Sequence, residues 1–142
     1  MHVVFKETMA GTWIAPDGGQ APMVFHASVR APSPLAFLNG DAMAFDGTIT
    51  VGGIARDVPM TGTIEVKVLT AGEMVYALEF RGKDGERYSY SGKKDVSLRH
   101  VVSGMTTLRG TLYRGDVAIG TGTVTFSLRD LPRFLTSFRP AT

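Results

Sequence analysis

The sequence predicts an all-β protein: about eight antiparallel strands closed into a barrel or a closed sandwich, with a short helix after the second strand and another near the C-terminus. Three observations carry this. Apolar residues recur with a period of two. Gly- and Asp-rich turns punctuate the apolar runs. The spacing between those turns suits hairpins rather than βαβ crossovers.

The first strand is expected over 3–13, where Phe5, Glu7 and Met9 share one face. The second, over 22–30, sets Met23, Phe25, Ala27 and Val29 against Val24, His26, Ser28 and Arg30. "SPLAFLNG" then offers Ser33 as a cap, Pro34 at the first helical position and Asn39-Gly40 as a stop, so a helix of one or two turns is expected. Further strands follow over 43–51 and 58–68, the latter with Ile64, Val66 and Val68 on one face. The strand over 73–81 aligns Met74, Tyr76, Leu78 and Phe80, and that over 87–94 aligns Tyr88 with Tyr90. "KDG" and "RGD" (Lys83 to Gly85 and Arg114 to Asp116) read as tight hairpin turns. The last two strands are expected over 104–113 and 117–128. In "RDLPRFLTSF", Asp130 is a cap, Pro132 lies in the first turn, and Leu131, Leu135 and Phe138 fall at helical spacing. This helix is expected to cover an open end or edge of the sheet, burying Phe134, Leu135 and Phe138.

The stretch "VAIGTGTVTFSL" contains Gly120-x-Gly122, the beginning of a dinucleotide fingerprint. The third glycine is replaced by Thr125, and Val124, Phe126 and Leu128 continue as a strand, not a helix. A nucleotide loop is therefore excluded. Val117 and Ile119 sit at odd positions and Val124 and Phe126 at even ones, so the inward face changes parity. A bulge or kink at Gly120–Gly122 is the expected device.

The chain has 142 residues, which fits one domain spanning 1–142, and its 44% hydrophobic and 20% charged residues exclude a disordered chain. Net charge is +2 without a dense basic tract, so nucleic acid is not an expected partner. The absence of cysteine excludes disulfides, thiol catalysis and Cys-zinc sites. The N-terminus turns polar within a few residues, and no run approaches the roughly 18–20 apolar residues of a membrane helix. A cytoplasmic protein with no integral membrane segment is the expectation.

Few residues point to chemistry. His2, His26 and His100 form no ligand pattern, so no metal or other cofactor is expected. No nucleophile elbow is present. Glu7 reads either as a polar anchor at the base of a ligand cavity or as a carboxylate exposed at the sheet's end. Trp13, Met74, Tyr76, Tyr88 and Tyr90 either line an apolar pocket or fill a packed core. Lys93, beside Lys94, either receives an anionic head group or blunts a strand edge in solvent.

The order "FKETMAGTW", "MVYALEF", "YSYSGKKDV", "MTTLRGTLY" and "GTGTVTFSLRDLPRFLTSFR" resembles the β-rich accessory region of large cholesterol-oxidase-like GMC flavoproteins. Phe5, Glu7, Met9 and Gly11 match its opening, Gly92 and Lys93 a G-x-K-like element, Thr106, Thr107 and Leu108 a strand, and Phe134, Ser137 and Phe138 its closing helix. The flavin fingerprint is absent, so the resemblance implies a stand-alone accessory barrel near lipid or steroid metabolism and no oxidase activity.

The expected function is a non-catalytic, lipocalin-like binding module for an apolar small molecule, lipid- or steroid-like, held in a barrel cavity. The alternative is a structural or interaction domain with a filled core, acting as a homodimer or as an accessory subunit of a partner protein. An enzyme using Glu7, Lys93 and a tyrosine is the third reading.

Overall fold

A computed structural model describes residues 2–31, 42–67, 73–95, 105–127 and 139–141. They form nine strands: β1 (His2–Ile14), β2 (Gln20–Ala31), β3 (Ala42–Val51), β4 (Ala55–Lys67), β5 (Glu73–Arg81), β6 (Arg87–Asp95), β7 (Met105–Arg114), β8 (Val117–Ser127) and β9 (Arg139–Ala141). Each strand from β1 to β7 pairs antiparallel with the next in sequence. β8 returns to β1, so eight strands close into a barrel and the sandwich alternative falls. The expected helices over 33–40 and 130–138 lie outside the described residues.

Closure is uneven along β1. Its whole length pairs with β2, from Val3↔Ala31 to Ile14↔Gln20. On its other edge, Ala10 to Ile14 meet β8 and His2 to Val4 meet β9. The short strand β9 was not foreseen, because three residues carry too little periodicity to announce a strand.

The alternation works as expected. Met23, Phe25, Ala27 and Val29 are buried, as are Tyr76, Leu78 and Phe80. The buried apolar residues described form one contiguous cluster inside the barrel. Two strands switch parity by bulging. In β4, Thr50 of β3 lies between the pairs Ile49↔Val58 and Val51↔Ala55, and Asp57 takes the left-handed region at φ 48°. The Asp57 N–H donates to Thr50 Oγ1 at 3.0 Å, which fixes the bulge. It moves the inner face from Ala55 to Met60, and explains why an unbroken alternation is legible only from residue 58. In β8, Leu112 faces Gly120 while Tyr113 faces Ala118, so Ile119 is the additional residue. The irregularity thus begins before Gly120, not across Gly120–Gly122.

One end of the barrel carries the turns at 15–19, 52–54, 82–86 and 115–116. Gly85 at φ 80° and Gly115 at φ 59° adopt backbone that side chains disfavour, as the "KDG" and "RGD" turns require. Asp84 organises the first. Its carboxylate accepts from the Glu86 N–H at 3.0 Å, from Tyr88 Oη at 2.9 Å and from Arg114 Nε at 3.2 Å. The Glu86 N–H, ahead of Tyr88 and Arg114, holds Asp84 below the usual carboxylate range. At the opposite end β2, β4 and β6 finish at Ala31, Lys67 and Asp95.

Candidate functional site

The inner wall is apolar with one exception. Glu7 is only 7% exposed, the single charged residue among the buried ones described. It lies on the half of β1 nearer the end opposite the tight turns. Its partner is Tyr76 of β5, whose hydroxyl donates to Glu7 Oε1 at 2.5 Å. In an eight-strand cycle β1 and β5 stand on opposite walls. The hydrogen bond therefore bridges the lumen.

Small neighbours flank both groups: Ala27 sits beside Glu7 on β2, and Gly92 beside Tyr76 on β6. Phe45 leans on the tyrosine ring, with centroids 6.1 Å apart and planes tilted by 57°. Burial raises the Tyr76 pKa well above its ordinary value, and the Glu7 charge and hydrogen bond raise it further. Tyr76 is thus held as a neutral donor. Among the buried polar side-chain atoms described, none lacks a partner.

The other candidate residues are placed differently. Tyr90 is fully buried and its hydroxyl donates to the Gly122 carbonyl at 2.8 Å. Burial raises its pKa as well. Gly122 is the reason this ring fits, since a Cβ there would lie 2.7 Å from Met23 Sδ and 3.0 Å from Tyr90 Cε2. Trp13 packs against the core near the tight turns and donates from Nε1 to the Gly52 carbonyl at 3.0 Å. Tyr88 stacks on Phe80, with centroids 5.6 Å apart, and reaches Asp84. Met74 is half-buried, two residues from Tyr76 on the same face. Lys93 is exposed on the outer face, opposite Arg109 and Val75, so it does not share the inner wall with Glu7. The strand alternation that turns Gly92 inward turns Lys93 out.

Glu7, Tyr76 and Met74 thus gather in one half of the barrel, while Trp13, Tyr88 and Tyr90 serve the packing of the rest. Phe45 was not singled out from sequence, although its alternation with Met43 marks it as inward. Among the described residues no cluster of His, Asp and Glu has the makings of a metal site. His26, outward as its strand position requires, meets Thr8 Oγ1 at 2.9 Å. No described helix is long and apolar enough to cross a membrane. Compared with protein-family models, curated proteins and solved structures, the chain matches none.

Proposed function

We propose that this barrel is a non-catalytic, lipocalin-like binding module whose guest is an apolar small molecule with one polar group. The guest sits in the half of the lumen beyond the Glu7–Tyr76 bridge, away from the tight turns. The observation that carries this reading is the bridge itself: a buried carboxylate held by a tyrosine from the opposite wall. Hydrophobic packing alone has no use for a carboxylate there, because burying one is costly even when it is hydrogen-bonded. A binding site uses a few placed polar groups among apolar ones to orient its ligand. The resemblance to the accessory region of GMC flavoproteins favours a lipid- or steroid-like guest.

Native mass spectrometry of gently purified protein tests this. Extra mass on the folded species that disappears on denaturation, and that is reduced in Glu7→Gln and Tyr76→Phe, is the expected result. A bare protein mass, together with no thermal shift in a lipid and steroid screen, removes the reading.

A second reading, a homodimer formed through the outer face, has its own observation. Ile14 and Val117 are exposed by 40% and 66%, and they lie toward the tight-turn ends of the neighbouring strands β1 and β8. A bare dimer in the same spectrum, dissociated by Ile14→Lys or Val117→Lys, would favour it.

A further inference from the structure

The wall of the barrel opens between β4 and β5. Their ladder runs from Lys67↔Glu73 to Met60↔Phe80 and stops there. Pro59 follows on β4 and has no N–H to extend it. The bulge at Asp57 lies just beyond, where the β3–β4 register shifts. The two chains rejoin where the Lys83 N–H donates to the Ile54 carbonyl at 2.8 Å. Between these points lies a cleft of about 490 Å³. That falls within the range of about 300–1,000 Å³ typical of small-molecule sites.

Val58, Pro59 and Phe80 are apolar residues of the cleft's lining, and Arg81 and Arg87 belong to the lining as well. These arginines stand directly opposite each other on β5 and β6. Like charges so placed repel across a sheet. Arg81 Nη1 donates to the Gly85 carbonyl at 3.0 Å, which anchors its head group at the turn beside the cleft. Glu79 also lines the cleft, so the lining residues carry two positive charges and one negative. A bound anion would relieve the repulsion between the arginines, and a guanidinium presents a fork of donors that matches a carboxylate.

We infer that this cleft is a second, outer binding site, for a small organic anion: a carboxylate on an aryl or alkyl body. The body lies along Val58, Pro59 and Phe80, and the carboxylate meets Arg81 and Arg87. The site is independent of the Glu7–Tyr76 bridge.

The test is an amide NMR titration with naphthoate, and with naphthylmethanol as a neutral probe of similar shape. Naphthoate is expected to give saturable shifts confined to the amides of Val58, Thr61, Gly82 and Arg87. Naphthylmethanol is expected to bind about tenfold more weakly, the difference a charge-assisted contact makes. Arg81→Gln combined with Arg87→Gln should weaken naphthoate by a similar factor and leave the alcohol unchanged. Both arginines are exposed, so the fold is retained, which the dispersion of the same spectra checks. Thr61→Trp, on the outer face at the cleft, should block both probes while the arginines remain. The inference is overturned by equal affinity for acid and alcohol, by an unchanged affinity in the double arginine variant, by shifts that centre on Glu7 and Tyr76, or by no saturation at millimolar probe. An empty interior in native mass spectrometry leaves these outcomes unaffected, so the two sites fail separately.

Discussion

The two halves of the lumen treat their polar groups differently. Toward the tight turns, Trp13 and Tyr90 each spend their one donor on a backbone carbonyl, of Gly52 and Gly122 respectively. Such bonds pin an aromatic ring to the frame and leave nothing that depends on another side chain. In the other half, Glu7 and Tyr76 bind each other across the lumen. The pair depends on both walls holding their positions. The contrast teaches that an aromatic residue on the inner wall can be a structural bolt, tied to the backbone like Tyr90 or to an adjacent turn like Tyr88, or can reach across the lumen to the opposite wall like Tyr76.

Substitutions can break or sharpen that contrast. The largest effect is expected from Phe25→Ala, which hollows the fully buried core and should cost about 3–5 kcal/mol in urea denaturation. A loss below 1 kcal/mol would mean that the packed half is not packed.

Next is Tyr76→Phe. It removes a hydrogen bond to a buried carboxylate and should cost about 1.5–3 kcal/mol. Adding Glu7→Leu should recover part of that loss, because the carboxylate then no longer needs a donor; a double-mutant cycle reads the coupling. Strict additivity would dissolve the pair. The same tyrosine predicts a pH effect. Its folded-state pKa lies well above the unfolded value, so its contribution to stability is full below about pH 10 and is lost as pH rises through the folded pKa. Wild type should therefore lose stability between pH 8 and 11, and Tyr76→Phe should lose less. Unfolding curves at the two pH values measure this.

Tyr90→Phe removes one neutral bond to a carbonyl and should cost about 1 kcal/mol, with no change in any guest seen by native mass spectrometry. A loss of guest would move the site boundary into the packed half. The smallest effect is expected from Lys93→Ala on the outer face, within about 0.5 kcal/mol by thermal or urea melts. A larger change would give the outer wall a role in stability.

Much of the wall was legible in the chain. Alternation aligned Met9, Tyr76, Leu78, Tyr88 and Tyr90 on faces the structure buries, while it left open whether Glu7 faces the lumen or the sheet's end and whether Lys93 meets a ligand or solvent. The turns at Gly85 and Gly115 announced themselves because few other residues accept positive φ. The start of β4 was hidden, since the bulge at Asp57 resets the period that reveals a strand. The cleft beside Pro59 was hidden too, because it depends on where one ladder ends and the next contact begins.

By itself, then, the sequence determined the class of structure, the inward and outward faces of its strands, and the absence of a nucleotide loop. Those are local properties: a period of two and the φ a glycine permits both act within a few residues. Tertiary structure alone decided that the sheet closes into a barrel, and that Glu7 meets Tyr76 across it although they are 69 residues apart. Alternation says which residues face the lumen and not which of them face each other. That second question is answered by strand register and by the stagger with which β8 and β9 share the edge of β1, both of which are set only when the ring closes.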